Sequence, residues 1–332
     1  MINTIYIEED VLDHPRTKDI LSRFKKAEVI VCHHYGEIFN RKAQNFRMQK
    51  KNSALIIADK KNQFVLPAPD EYGIGGEKNY YFSHMLNCIY DCRYCFLQGM
   101  YRSAHYLLFV NYESFAEDIE KTVLDHPDKS IFFYSGYDCD SLALEPATHF
   151  VDFILPVFER LPTATLELRT KSTQIRSLLD RDALKNCVVA FSLSPDNIVE
   201  HLEAKTPSLS KRIEAMRKLQ AKGWQIGLRF DPLIYHTGYQ QNYSQMFDLV
   251  AEALDVSLIH SISLGSFRMP EKFFRNMVKL YPGERLFAGS LEENDGMVSY
   301  EKQKEQEMTM YCHSELLKYW PDDIVFPCYS QE

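Results

Sequence analysis

The sequence predicts an α/β protein: a mostly parallel sheet covered by helices, with a smaller α/β unit ahead of it. Three observations predict it. From Tyr80 onward, apolar runs of strand length alternate with amphipathic stretches of helical period, the pattern of parallel strands joined by helical crossovers. The strand runs are near-continuously apolar, as expected of strands buried on both faces. The chain is 332 residues long, enough for one barrel-sized domain with an appendage or for two medium domains. Pattern alone leaves an incomplete β/α barrel and a doubly wound sheet both open.

Up to about residue 72 the elements are short and mixed. A helical stretch near Thr17–Lys26 precedes strand-like runs at Val29–Cys32 and Ala54–Ile57. The breaker-rich segment Pro67–Gly76 (PAPDEYGIGG) reads as a linker. It divides the chain into a small N-terminal α/β domain, residues 1–75, and a main domain, residues 76–332, with a C-terminal extension. In the main domain the strand runs are Tyr80–Met85, Ser130–Tyr134, Thr165–Arg169, Cys187–Leu193, Gln225–Phe230 and Ile259–Leu264. Helical patterns lie between them near Tyr112–His126, Ala147–Arg160, Thr173–Asp180, Ser208–Lys222 and Tyr243–Leu254. The helix before Gly223 is expected to take Thr206 as N-cap and Pro207 in its first turn, with Gly223 closing it.

Hydrophobic residues at 45% and charged residues at 25% exclude a disordered or collagen-like chain. Thirty-eight basic and 46 acidic side chains leave a net charge of −8, too mild to name a class of partner. The start, MINTIYIEEDVLDHPRTKD, carries acids where a signal peptide needs a basic and then an apolar region. The uncharged run Val256–Phe267 is 12 residues long, against roughly 20 for a membrane span. A cytoplasmic location with no membrane partner is expected, and with it reduced thiols. One local bias stands out: Arg41–Asn52 holds five basic residues and no acidic one, with Lys60 and Lys61 following. That segment is either a solvated face or a phosphate-contacting patch.

Three of the eight cysteines, Cys88, Cys92 and Cys95, fall within eight residues, as C-x3-C-x2-C in SHMLNCIYDCRYCFLQGMYR. They follow the first strand of the alternating region, at the carboxyl end where α/β proteins bind ligands. In a reducing compartment such spacing means ligation rather than disulfides. Two readings stand. A zinc site needs a fourth ligand, for which His84 is available, and makes the chain a non-catalytic metal-binding protein. A 4Fe–4S cluster on three thiolates leaves one iron open to a small molecule, which favours catalysis. Cys32 and Cys187 lie in apolar strand runs and read as small buried hydrophobes. Cys312 and Cys328 are far from the cluster in sequence.

The C-x3-C-x2-C motif with an aromatic, Tyr94, before the last cysteine resembles the signature of the radical S-adenosylmethionine (SAM) superfamily. The longer run resembles the spore photoproduct lyase family. That likeness continues through SGYDCDSLALEPATHF (135–150), LRTKS (168–172), residues 190–234 and DGMVSYEKQKE (295–305). The resemblance implies a partial (β/α)6 radical SAM barrel holding a 4Fe–4S cluster on Cys88, Cys92 and Cys95, with SAM chelating the open iron. An electron from the cluster then splits SAM into methionine and a 5′-deoxyadenosyl radical, the cofactor doing the hard chemistry. It implies SAM contacts from Ser135, Gly136, Lys171, Ser192 and Ser194, with Asp140 as an orienting acid or a helix cap. Arg229 and Asp231 are expected as a pair that orients substrate or SAM, or as a buried structural ion pair. Tyr300 and Lys302 match positions near the family's DNA-binding hairpin. The implied partners are damaged DNA and a reductase such as flavodoxin or ferredoxin.

The likeness departs at two positions. The family returns a hydrogen atom to the thymine radical from a cysteine on the loop after the second strand, where this chain has Tyr137. Cys139 lies two residues on, and in extended chain that spacing restores the same face. The tyrosine that follows the last cluster cysteine in the family is Phe96 here, without a transferable O–H hydrogen, while Tyr94 keeps its place. The catalytic candidates are therefore Cys139, Tyr94 and Tyr137. Repair of a thymine dimer in DNA is the expected activity; radical chemistry on RNA, a peptide or a small molecule is the alternative.

Overall fold

The six strand runs read from the sequence become the six central strands of one sheet. The structure, a computed structural model, describes residues 2–69 and 73–328. The central strands are β5 (Lys78–Phe82), β9 (Ile131–Ser135), β10 (Ala164–Thr170), β11 (Cys187–Ser192), β13 (Gln225–Leu233) and β14 (Ile259–Ser266), adjacent in chain order and all parallel. A short parallel strand, β18 (Val325–Pro327), extends one edge, and antiparallel β4 (Val65–Pro67) the other. The sheet curls into a partial barrel. Its strands are apolar on both faces because helices cover one side and the barrel interior the other. Ile131, Leu166, Val189, Leu228 and Ile262 are fully buried, as are Phe133, Phe158 and Phe191. Each such side chain contributes roughly 1.5–3 kcal/mol by leaving water.

The helices follow the expected order with local differences. The pattern at 147–160 divides into α5 (Glu145–Thr148) and α6 (Phe150–Glu159), because His149 between them adopts a left-handed φ of 48°. Only Arg176–Leu179 of the 173–180 pattern is helical (α7). The helix before Gly223, α9, spans Leu209–Ala221 with Ser208 at the N-cap position, so Pro207 lies outside it. Thr206 is taken up elsewhere, donating to the Glu203 carbonyl and accepting from Arg212. Gly223 does close the helix, at φ 89°. The last helix of the alternation, α10 (Tyr239–Ala253), starts a turn earlier than its apolar pattern.

A second, five-stranded sheet runs across the expected division at residue 75. Its order is β2 (Glu28–Cys32), β1 (Thr4–Glu8), β3 (Leu55–Ala58), β8 (Tyr106–Phe109), β6 (Met85–Leu86). The last two strands come from beyond the linker, and β8 pairs with β3 along its whole length. Conversely, β4 lies before the linker and belongs to the main sheet. The cause is burial: Leu107 and Leu108 are as apolar as the strand beside them, and paired with it they have 0% exposure. The linker itself, at residues 70–72, lies partly outside the described residues. Among the described residues no helix is long and apolar enough to cross a membrane.

Candidate active site

The cysteine loop leaves the carboxyl end of β5 and is held from several sides. Asn87, in a left-handed turn at φ 70°, donates from Nδ2 to the carbonyls of Ser103 (2.7 Å) and His105 (2.9 Å). Lys50, on the short helix α2 (Phe46–Lys51), donates to the Cys88 carbonyl at 2.7 Å. Strand β7 (Asp91–Cys92) pairs with β12 (Glu203–Ala204), setting Cys92 opposite Glu203, and the Arg93 amide donates to the Leu202 carbonyl at 2.8 Å. Three cysteines are thus presented on a clamped, largely buried loop.

Burial pushes the Cys88 thiol up to about 12, and the thiols of Cys92 and Cys95 rise for the same reason. Thiolate ligands in such a place need a cationic centre beside them. Among the described residues, the group of ligand atoms gathered within 4.8 Å of one another is Glu145, His149 and Asp152, not the three thiols. A single zinc with Zn–S bonds of about 2.3 Å requires a tighter set than that. His84 does not complete one either: its ring is stacked on Phe150 at 3.7 Å, where burial lowers its pKa to about 3. Three thiols without a fourth protein ligand fit a cluster with one iron open better than a closed structural zinc.

The strand ends around this loop carry the expected SAM residues. Gly136 has φ 88°, and a Cβ there would lie 2.6 Å from Ser141 Oγ and 3.1 Å from the Arg169 carbonyl, so only glycine fits. Ser135 accepts from Ser141 at 3.2 Å. The Lys171 ammonium lies 5.5 Å above the Tyr94 ring, and Ser192 and Ser194 are buried at the end of β11. Asp140 is held by its own chain. Its two oxygens accept from the Leu142, Ala143 and Lys171 amides and the Thr170 hydroxyl, at 2.7–3.0 Å. It therefore ties the loop after β9 to the loop after β10.

A residue that the sequence did not single out organises the centre. Glu203 is buried, pairs with the equally buried Arg212, and accepts from the Tyr94 hydroxyl and from Ser194 Oγ (3.0 Å). Burial alone would raise its pKa, but Lys171 and Arg212 outweigh that and hold it down. Arg212 also donates to the Ser192 carbonyl at 3.0 Å. One carboxylate thus connects the cysteine loop, the β11 end and α9. The Glu-Ala-Lys-Thr-Pro string gives no sign of this, because its partners lie 9 and 109 residues away.

Of the catalytic candidates, Tyr94 is buried with its hydroxyl committed to Glu203. The Cys139 thiol is 8% exposed and lies beside the Met85 backbone and Cys88. Tyr137 is 37% exposed, its ring between Tyr81 (centroids 4.5 Å apart) and Phe96 (5.6 Å). The two positions where the likeness departs are thus in contact.

The expected substrate residues are corrected in part. Arg229 has 0% exposure and pairs with Glu167, at 2.7 and 3.2 Å, rather than with Asp231. Its remaining donors go to the carbonyls of Leu228 and Ser261 and to Ser261 Oγ. A buried charge is stable only when so paired, which leaves this one no reach toward a substrate. Asp231 instead faces Arg268 at 3.2 Å. Tyr300 is 4% exposed on β17 (Met297–Tyr300) of the small hairpin, accepting from the Tyr235 amide at 3.0 Å, so it presents no ring for stacking. Lys302, first residue of α12 (Lys302–Leu316), is exposed.

A curled parallel sheet with a clamped three-cysteine loop at the carboxyl end of its first central strand defines a radical SAM enzyme. The family model described as "Spore photoproduct lyase" matches residues 1–322. The chain belongs to the spore photoproduct lyase family. It is 25% identical over 291 residues to the spore photoproduct lyase of Bacillus subtilis (strain 168), covering 85% of this chain and 83% of the relative. The same enzyme from Geobacillus sp. (strain Y412MC61) is 22% identical over 293 residues, with the same coverage. Among solved structures, a cysteine-to-alanine mutant of spore photoproduct lyase superposes with a TM-score of 0.87 at 18% identity, covering 99% of this chain and 98% of that one. A double mutant with bound AdoMet and dinucleoside spore photoproduct gives 0.86 at 17% identity, with the same coverage.

Proposed function

We propose that the protein repairs spore photoproduct in DNA by radical chemistry, with Tyr137 as the group that returns the hydrogen atom. Cys88, Cys92 and Cys95 would hold the 4Fe–4S cluster; Lys171, Ser192 and Ser194 would bind the SAM polar groups, and Gly136 would leave room for its approach. When bound, cluster and SAM supply a 5′-deoxyadenosyl radical on one-electron reduction. Transfer of a hydrogen atom from the lesion to that radical, which leaves as 5′-deoxyadenosine, would let the bridging C–C bond break, leaving one thymine closed-shell and the other a carbon radical. That radical takes the hydrogen of the Tyr137 O–H, forming a C–H bond and a tyrosyl radical. One electron from a reductase of the flavodoxin or ferredoxin class and one proton from water restore the phenol. Phe96 has no hydrogen with which to pass the radical back, so SAM is consumed one per lesion.

The observation that carries this reading is the half-open Tyr137 ring beside Phe96, against a Cys139 side chain that is 8% exposed. The test is anaerobic turnover of the reconstituted enzyme on dinucleoside spore photoproduct, with products and SAM counted. Tyr137→Phe should retain SAM cleavage and lose thymine formation, while Cys139→Ala keeps both. The reverse result would give the donor role to Cys139. SAM cleavage with no thymine formed by the unaltered chain would overturn the substrate.

A further inference from the structure

The basic segment 41–52 is placed against the cysteine loop. Lys50, 7% exposed, is spent on the Cys88 carbonyl at 2.7 Å. Gln49 Oε1 accepts from the Ala104 amide (2.9 Å) and Asn40 Oδ1 from the Arg102 amide (2.7 Å), fastening the segment to the chain that leaves the loop. Lys205, next but one to Glu203, donates to the Lys50 carbonyl at 3.2 Å. Arg41, Lys42, Arg47, Lys51 and Lys205 are all exposed. Among the described residues none of the five has a carboxylate within 4.0 Å. Some surface cations elsewhere are paired, among them Lys61 with Asp10 and Asp59, Arg16 with Glu113, Lys129 with Glu77 and Arg160 with Glu120; what sets this segment apart is that five unpaired cations gather beside the cysteine loop. Within the unpaired group Met48 is 61% exposed.

We infer that this surface docks an acidic one-electron carrier protein. The inference rests on the radical reading above and adds where the electron enters. An exposed apolar residue on the same short helix as unneutralised cations matches the small, charge-steered interfaces of transient redox encounters. The position suits delivery, since one hydrogen bond separates the buried member of the segment from a cysteine of the loop. Nucleic acid is the weaker occupant. The aromatic rings of this surface are not open to bases: Phe46 is buried, and Tyr281 has Arg47 and Arg93 over its ring at 5.6 and 4.2 Å. Strands without such platforms bind through phosphates alone.

The experiment uses the triple variant Arg47→Gln, Lys51→Gln, Lys205→Gln, with oxidised flavodoxin as probe. Binding is measured on the unloaded protein at low salt, and the rate of SAM cleavage on the reconstituted protein. The variant should bind flavodoxin about tenfold more weakly, lose most of the salt dependence of binding, and show a matching fall in flavodoxin-driven cleavage. Dithionite-driven cleavage, SAM affinity and melting temperature should stay at the values of the unaltered chain. Unchanged flavodoxin affinity would overturn the assignment. So would a variant that keeps flavodoxin binding and loses affinity for duplex DNA. If the unaltered chain fails to cleave SAM even with dithionite, the radical reading fails, a result distinct from any change in flavodoxin binding.

Discussion

At Gly136 the backbone sits at φ 88° with no room for a methyl group beside Ser141 and the Arg169 carbonyl. Gly136→Ala adds strain of roughly 1–3 kcal/mol there, and the relief must come from moving the loop after β9. The expected outcome is a lower urea midpoint together with SAM binding weakened several-fold; a stability loss with SAM affinity intact would confine the glycine to packing. The three crowded cysteines and Gly136 are legible in the sequence because their signal is local: three thiols in eight residues, one glycine at a strand end. Glu203 and Lys50 are not, since neither residue type nor spacing marks a carboxylate whose partners arrive from three distant segments. Arg229 misleads for a related reason. Its neighbour in sequence is Asp231, but the acid that neutralises it, Glu167, stands two strands away in the sheet.

The element that fixes the cysteine loop is the two-residue ladder of β7 with β12, backed by the Glu203–Arg212 pair. Both charges have 0% side-chain exposure, so removing one leaves the other buried without its ion-pair partner, at a cost of about 3–5 kcal/mol. Glu203→Gln and Arg212→Met should each destabilise by an amount in that range, measured by urea denaturation. The double variant should lose less than the sum, because it strands no charge. Additive losses would mean that the two side chains act separately. Glu203→Gln should also lower the iron and sulfide retained after reconstitution, since Cys92 sits on the strand that Glu203 holds. Strand positions are readable from sequence throughout the main sheet, where each run is long and apolar. The division of the helix at 147–160 is not, because only the backbone of His149, and nothing in its apolar pattern, marks the break.

At the scale of the whole chain, β3–β8 pairing makes the two sheets inseparable. A fragment comprising residues 76–332 would leave Leu107 and Leu108 without their neighbouring strand and Cys88 without Lys50. It should be insoluble or expanded by size-exclusion chromatography, where a compact species would restore the division at residue 75. Glu167 contributes to acid stability. Burial alone would raise its pKa, but Arg229 and Arg169 dominate and hold it at about 2, against an ordinary 4.5. The folded chain keeps this carboxylate ionised after the unfolded chain has taken up a proton. Its contribution is complete above pH 4.5 and disappears as the pH falls toward 2, a change on the order of 3 kcal/mol. The urea midpoint should fall across that window, and Glu167→Gln should flatten the fall while lowering the midpoint at neutral pH. The sequence could not announce the two-sheet weave, because parallel pairing between segments some fifty residues apart leaves no trace in periodicity.

The contact between Phe96 and Tyr137 has a consequence for how such an enzyme can change. Two positions that touch do not drift independently: a cysteine at 137 leaves a gap against the ring at 96, and a hydroxyl at 96 meets the phenol at 137. Phe96→Tyr and Tyr137→Cys introduced together should therefore perform better than either alone, in thymine yield and in SAM used per lesion. A lineage moving between one radical route and the other would have to cross through a poorly packed, poorly terminating intermediate, so the aromatic pair is a ratchet as much as a lining.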